Sequence, residues 1–227
     1  MMGEVYQFEC RVELGRGSMK ILLFGATGSV GSLIVSQGLE LGLVIRVVVR
    51  DPEKLKVKHH NLEVLSGNAL DGACVEQALV GCDAVIYALG SAQVGKATTL
   101  FFDSTRILIA AMEKVGVRRL IAITGIGAGD SKGHGGWFYD WIIFPLLTKL
   151  IYADKDVQEK LIRESKLDWV VVRPAAFNNG PLGGRLRALD QLEGVTISGI
   201  SRADTAAFVL EQLRSDRWLK KTPLIGY

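Results

Sequence analysis

The sequence is poor in the residues that build metal centres and covalent staples. Its 227 residues hold three cysteines, Cys10, Cys74 and Cys82, and three histidines, His59, His60 and His134. The cysteines are scattered, odd in number and free of any Cys-x-x-Cys spacing, which excludes a disulfide framework and a zinc site. Reduced thiols in a cytoplasmic protein are the expectation. The histidines join no His/Asp/Glu constellation, so no metal is expected, and His59-His60 reads as a solvated loop. Charge of either sign is nearly balanced: 27 Lys and Arg against 24 Asp and Glu leave +3, with no dense basic cluster. That gives no argument for nucleic acid or for an anionic membrane surface. The longest apolar patch, residues 141–151, contains Pro145 and Lys149 and is too short to span a bilayer. Glu4, Glu9, Arg11 and Glu13 interrupt what a signal peptide would need as its apolar core. There is no internal repeat, low-complexity tract or interdomain linker, and no signal for an oligomeric state.

What the chain has is glycine, placed with a pattern. Residues 20–24 form a short apolar run that breaks into Gly25, Gly28 and Gly31. A strand, a glycine-rich turn and a helix start in that order make a cradle for a diphosphate. Gly25 allows the sharp turn, Gly28 lets backbone approach the ligand, and Gly31 lets the helix pack on the sheet. Thr27, Ser29 and Val30 complete the turn, and the helix N-terminus presents its N–H groups. A tight turn without a ligand is the alternative reading.

Apolar strands at 21–24, 44–49, 62–65, 84–88, 120–124 and 169–172 alternate with helices at 29–41, 73–81 and 98–114, then a helical region ending near residue 165 and broken near Pro145. Runs such as Val170-Val171-Val172 are continuously apolar, as in strands covered on both faces. The expected fold is therefore α/β, a Rossmann-type doubly wound parallel sheet in a single domain, residues 19–227. Met19 directly precedes the first strand, and residues 1–18 are set outside the fold as an N-terminal extension.

Strand two ends in Arg50, where an NAD-binding sheet carries an acidic residue for the ribose hydroxyls. A guanidinium binds a 2′-phosphate that a carboxylate would repel, so NADP(H) is favoured, with Lys54 adding a second charge. Asp51 competes for the ribose role, and both Arg50 and Asp51 also read as turn residues before Pro52.

These residues resemble the atypical short-chain dehydrogenase/reductase superfamily, in its single-domain NAD(P)H-binding branch of biliverdin/flavin reductase-like and NmrA-like proteins. The resemblance rests on residues 25–31, Val49-Arg50-Asp51-Pro52, Gly67-Asn68-Ala69-Leu70-Asp71, Asp83-Ala84-Val85-Ile86, Arg173-Pro174 and residues 200–206. It implies that Asn68, standing where relatives have Asp, and Ala69 meet the adenine. It implies Ala88, Leu89 and Gly90 along the adenosine ribose and pyrophosphate, and Thr124 near the nicotinamide. Pro174, Ala175 and Phe177 would wall the nicotinamide pocket.

Short-chain dehydrogenases use Tyr-x-x-x-Lys. Lys155, with Glu159 four residues on, fits the lysine, but the tyrosine slot is Ile151. Tyr152 is one residue off, about 100° round a helix. Lys155 and Thr124 are therefore the candidate catalytic residues, and a surface Lys155–Glu159 pair is the competing reading. The aromatic stretch Trp137, Phe138, Tyr139 and Trp141 is either a lid or core packing, and residues 178–184 either close over the ligand or form a plain surface loop. Three functions follow from the resemblance: an NADPH-dependent reductase of a flavin-, quinone- or carbonyl-type small molecule, a non-catalytic NADP(H) sensor, or a sugar-nucleotide epimerase or dehydratase relative.

Overall fold

An apolar strand without alternation needs cover on both faces. In β2 (Lys20–Phe24), Ile21 and Leu23 enter one apolar cluster while Leu22 and Phe24 enter another. A computed structural model describes residues 5–6, 18–90, 98–128, 149–192, 196–197 and 199–227. After β1 (Val5–Tyr6) and β2 come α1 (Gly31–Glu40), β3 (Val44–Val49), a 3-10 turn (Pro52–Lys54) and β4 (Leu62–Ser66). Next are α2 (Gly72–Leu79), β5 (Ala84–Tyr87), α3 (Leu100–Val115), β6 (Arg119–Ile123) and α4 (Lys149–Glu164). The chain ends with β7 (Asp168–Pro174), β8 (Phe177–Asn178), β9 (Leu186–Leu189), β10 (Ile200–Ser201), α5 (Arg202–Glu211) and β11 (Leu224–Gly226).

Among the described residues the main sheet runs β1-β9-β11-β7-β6-β5-β2-β3-β4. From β4 to β11 every neighbouring pair is parallel. Strand order reverses between β2 and β5, which opens a crevice at the strands' carboxyl ends. Residues of α1 and α5 fill the cluster on one face, and residues of α2, α3 and α4 fill the other.

The Rossmann architecture holds, with four corrections. The sheet is not wholly parallel: β9 pairs antiparallel with β11, and β1 with β9. Val5–Tyr6, set outside the fold on sequence, is that edge strand; two residues are too few to show a period. Helix α1 starts at Gly31 rather than at residue 29. Gly28 N–H closes a turn onto Gly25 at 2.9 Å before the helix becomes regular. The late elements β8 to β11 and α5 escaped notice because the strands among them are short and are held by distant partners. The helix break expected near Pro145 lies outside the described residues.

Helix ends are closed locally and at long range. Asp71 Oδ1 accepts from Ala73 N–H and Cys74 N–H at 3.0 and 3.3 Å and caps α2, while Gly116 in the left-handed region (φ +87°) ends α3. The start of α3 has no cap from its own Thr99. Instead the buried Asp154 of α4 accepts from Phe101 N–H and Phe102 N–H, both at 2.9 Å. Two charge-assisted bonds thus fasten α3 to α4. Asp154→Ala is expected to cost about 1–2 kcal/mol and to lower the melting temperature by about 2–8 °C. A thermal melt followed by circular dichroism checks this, and an unchanged midpoint contradicts it.

Candidate functional site

The glycines of the β2–α1 turn separate into two kinds. Gly25 has φ +89°, and a Cβ there would lie 2.2 Å from the Ala88 carbonyl oxygen on the neighbouring β5 side. A Cβ on Gly31 would lie 2.0 Å from the Gly25 carbonyl oxygen. The fold itself requires both. Gly28 is exposed, has no positive φ, and a Cβ there would meet only Gly25 oxygen at 3.2 Å. The fold constrains glycine less at that position than at Gly25 and Gly31, since a side chain there needs only a few tenths of an ångström from one backbone oxygen and otherwise faces solvent. Thr27 and Ser29 are exposed beside it, and Val30 is buried. The first turn of α1 carries no acidic residue and no side-chain cap, so its N–H groups and positive dipole end suit an anion. These residues fit the diphosphate of a dinucleotide.

Along the strand ends, Arg50 is exposed and makes no hydrogen bond or ion pair among the described residues. Its neighbour Asp51 is committed to the turn: one oxygen accepts from Glu53 N–H at 3.2 Å and the other stands 3.5 Å from Lys54. Asp51 caps its own turn with one oxygen and shares Lys54 with the other, while its side chain stays about half exposed at 48%. Asn68 is exposed; its Oδ1 accepts from Leu70 N–H at 3.1 Å, leaving its amide donors and a second lone pair for a base. Ala69, Ala88 and Leu89 are half-buried and Gly90 is exposed.

The deepest part of the site is a buried ion pair. Glu159 of α4 is 2% exposed and Arg173 of β7 is 0% exposed. Arg173 donates to both Glu159 oxygens, Nε at 3.1 Å and Nη2 at 2.5 Å, and Thr124 Oγ1 donates to the same carboxylate at 2.6 Å. The hydroxyl proton of Thr124 is thereby directed to Glu159. The Thr124 carbonyl accepts from Lys155 Nζ, which also lies 5.3 Å from the Phe101 ring centroid. Lys155 is half-buried, not an exposed partner of Glu159. Burial pulls its pKa down to about 8, against the opposing pull of the Glu159 charge.

Pro174 and Ala175 are buried at the end of β7, and Phe177 is 41% exposed on β8. Arg202, the first residue of α5, entered the sequence analysis only within residues 200–206 and without a role; its guanidinium lies 5.2 Å from the Phe177 ring centroid and its Nε 3.1 Å from Ser29 Oγ. The signal was available in Ile200-Ser201-Arg202-Ala203-Asp204, a capped helix start.

Tyr87 is buried with its hydroxyl 2.7 Å from Ser104 Oγ, and burial pushes its pKa up to about 12. The Tyr227 hydroxyl donates to Asp204. Both phenols serve the fold. The side chains of Ile151 and Tyr152, the aromatic stretch 137–141 and His134 lie outside the described residues. Among the described residues no His/Cys/Asp/Glu group could hold a metal, and no helix is long and apolar enough to cross a membrane.

The sequence matches the NAD(P)H-binding family over residues 25–216. YhfK of Bacillus subtilis, named an uncharacterized sugar epimerase, is 29% identical over 202 residues, 86% of this chain and 88% of its own. ChuY, an anaerobillin reductase from Escherichia coli O157:H7, superposes with a TM-score of 0.77 at 24% identity, over 92% of this chain and 97% of that one. A short-chain dehydrogenase/reductase of Veillonella parvula in complex with NADP superposes with a TM-score of 0.77 at 16% identity, over 93% and 95% of the two chains. At such identities the structural likeness shows the fold.

The glycine geometry gives a sharp expectation. Gly28→Val should keep the parent's melting temperature within a few degrees and abolish quenching and enhancement signals of NAD(P)H binding. Gly31→Val, clashing with backbone, should fail to fold. Normal NAD(P)H binding by folded Gly28→Val overturns the assignment of this turn.

Proposed function

We propose a function from one premise: the chain belongs to the NAD(P)H-binding family of the atypical short-chain dehydrogenase/reductase superfamily. It is an NADPH-dependent reductase of a small planar or carbonyl-bearing molecule. One observation carries this reading. Lys155, the family's nicotinamide-side lysine, is drawn onto the carboxyl end of β6 by the Thr124 carbonyl, while Glu159 is occupied by Arg173 and Thr124. Bound NADPH supplies the hydride.

The chain's own residues hold and orient. Residues 25–31 take the diphosphate, Asn68 and Ala69 the adenine, and Ala88 to Gly90 the adenosine side. Lys155 donates to the nicotinamide ribose, and Thr124 is the positioning residue that aims it. Pro174, Ala175 and Phe177 wall the ring. Arg50 faces the 2′-phosphate, and this reading is supported by Asp51 being tied into its turn. Ile151 stands in the tyrosine register, so the acceptor draws its proton from solvent, which suits a flavin, quinone or tetrapyrrole-like ring. That ChuY is named a reductase points the same way. Cys74 and Cys82 are free thiols, in keeping with a cytoplasmic location. The same Ile151 favours a second reading, an NADP(H) sensor without turnover.

The test is NADPH consumption with flavins, quinones, biliverdin and small carbonyls, beside calorimetry with NADPH and NADH. Tight NADPH binding with turnover of a panel member is expected. Binding without turnover of any of them overturns the reductase in favour of the sensor. Arg50→Asp should weaken NADPH binding by about tenfold to a hundredfold and leave NADH binding unchanged or improved. Equal affinity of the parent for the two cofactors overturns the NADPH preference.

A further inference from the structure

Arg202 joins two parts of the crevice that no other described side chain connects by hydrogen bonds. Its Nε donates to Ser29 Oγ at 3.1 Å, in the turn before α1. Its Nη1 donates to the Asn178 carbonyl at 3.1 Å and to Asn179 Oδ1 at 2.8 Å, and its guanidinium lies 5.2 Å from the Phe177 ring centroid. All three acceptors are neutral, and no carboxylate pairs with Arg202 among the described residues. A half-buried guanidinium fork satisfied by neutral acceptors, beside an uncapped helix start, is complementary to an oxyanion.

Its backbone is held in place. Ser201 caps α5, with its Oγ accepting from Asp204 N–H at 2.9 Å and donating to Asp204 Oδ2 at 2.8 Å. Gly183 N–H at 2.8 Å, Gly184 N–H at 3.3 Å and the Tyr227 hydroxyl also donate to the Asp204 carboxylate. Gln37 of α1 donates to the Ala203 carbonyl at 3.1 Å, which fixes the start of α5 against α1. The guanidinium is therefore delivered to the glycine turn by rigid elements, and only its side chain has to adjust.

We propose that Arg202 is a cofactor-binding residue that pairs with the dinucleotide's diphosphate, and that it couples diphosphate binding to the position of Phe177 and residues 178–179. The proposal rests on the NAD(P)H-binding reading of the crevice. The anion exchanges with neutral acceptors for the same fork, so occupancy at Ser29 is felt at the ring wall. Arg50 and Arg202 then read different phosphates of one ligand.

The experiment compares the parent, Arg202→Met and Arg202→Lys by calorimetry with NADPH, NADH and 2′-AMP, which has the 2′-phosphate but no diphosphate. Arg202→Met should lose about tenfold to a hundredfold in affinity for both dinucleotides and bind 2′-AMP like the parent. Arg202→Lys keeps the charge without the fork and should fall between; it also answers the question if Arg202→Met does not fold. Parent-like dinucleotide binding in both variants overturns the proposal. A matching loss of 2′-AMP affinity also overturns it, because that marks general damage to the site. If the parent itself binds neither dinucleotide, it is the underlying cofactor reading that fails.

Discussion

The site depends on one buried carboxylate. Glu159 is taken from water and compensated by a two-pronged guanidinium from β7 and a hydroxyl from the end of β6. Such a pair is a poor source of net stability, since desolvation offsets most of its attraction, but removing one partner strands a charge at a cost of about 3–5 kcal/mol. Its value is positional. It locks α4 in rotation and depth against two strands. One helical turn earlier on α4, Lys155 then reaches the Thr124 carbonyl, and next to it Asp154 reaches the start of α3. Sheet, helix cap and the candidate ribose lysine are set by a single contact.

Around that contact the crevice divides its labour by charge and by backbone. The glycine turn, proposed for the diphosphate, offers N–H groups, a helix dipole and an exposed Gly28. The end of β3, proposed for the 2′-phosphate, offers an exposed Arg50 beside Asp51, which caps its own turn. The end of β6, proposed for the nicotinamide, holds Lys155, whose pKa burial lowers to about 8.

Much of this was legible in the sequence because it is local. Continuous apolar runs identify strands covered on both faces, and the Gly25–Gly28–Gly31 spacing identifies the turn. The proximity of Lys155, Glu159 and Arg173-Pro174 agrees with the register that the resemblance implied. What escaped depends on distant partners. Asp154 caps a helix about fifty positions earlier in the chain. The hydroxyl proton of Thr124 is directed to Glu159. Arg202 meets Ser29 only because α5 packs on α1, and β1, β8 and β10 are two residues long, below any periodicity.

The central claim is that the protonated Lys155, placed by Glu159, holds the cofactor. It is tested most directly by the NADPH dissociation constant between pH 7 and 10, where the cofactor's phosphates stay ionised. Burial lowers the Lys155 pKa to about 8, so the ammonium is present below that value and lost above it. The account predicts steady affinity up to about pH 8, progressive weakening beyond it, and a flat, weaker profile in Lys155→Met. A flat profile in the parent, or the same decline in Lys155→Met, would contradict it.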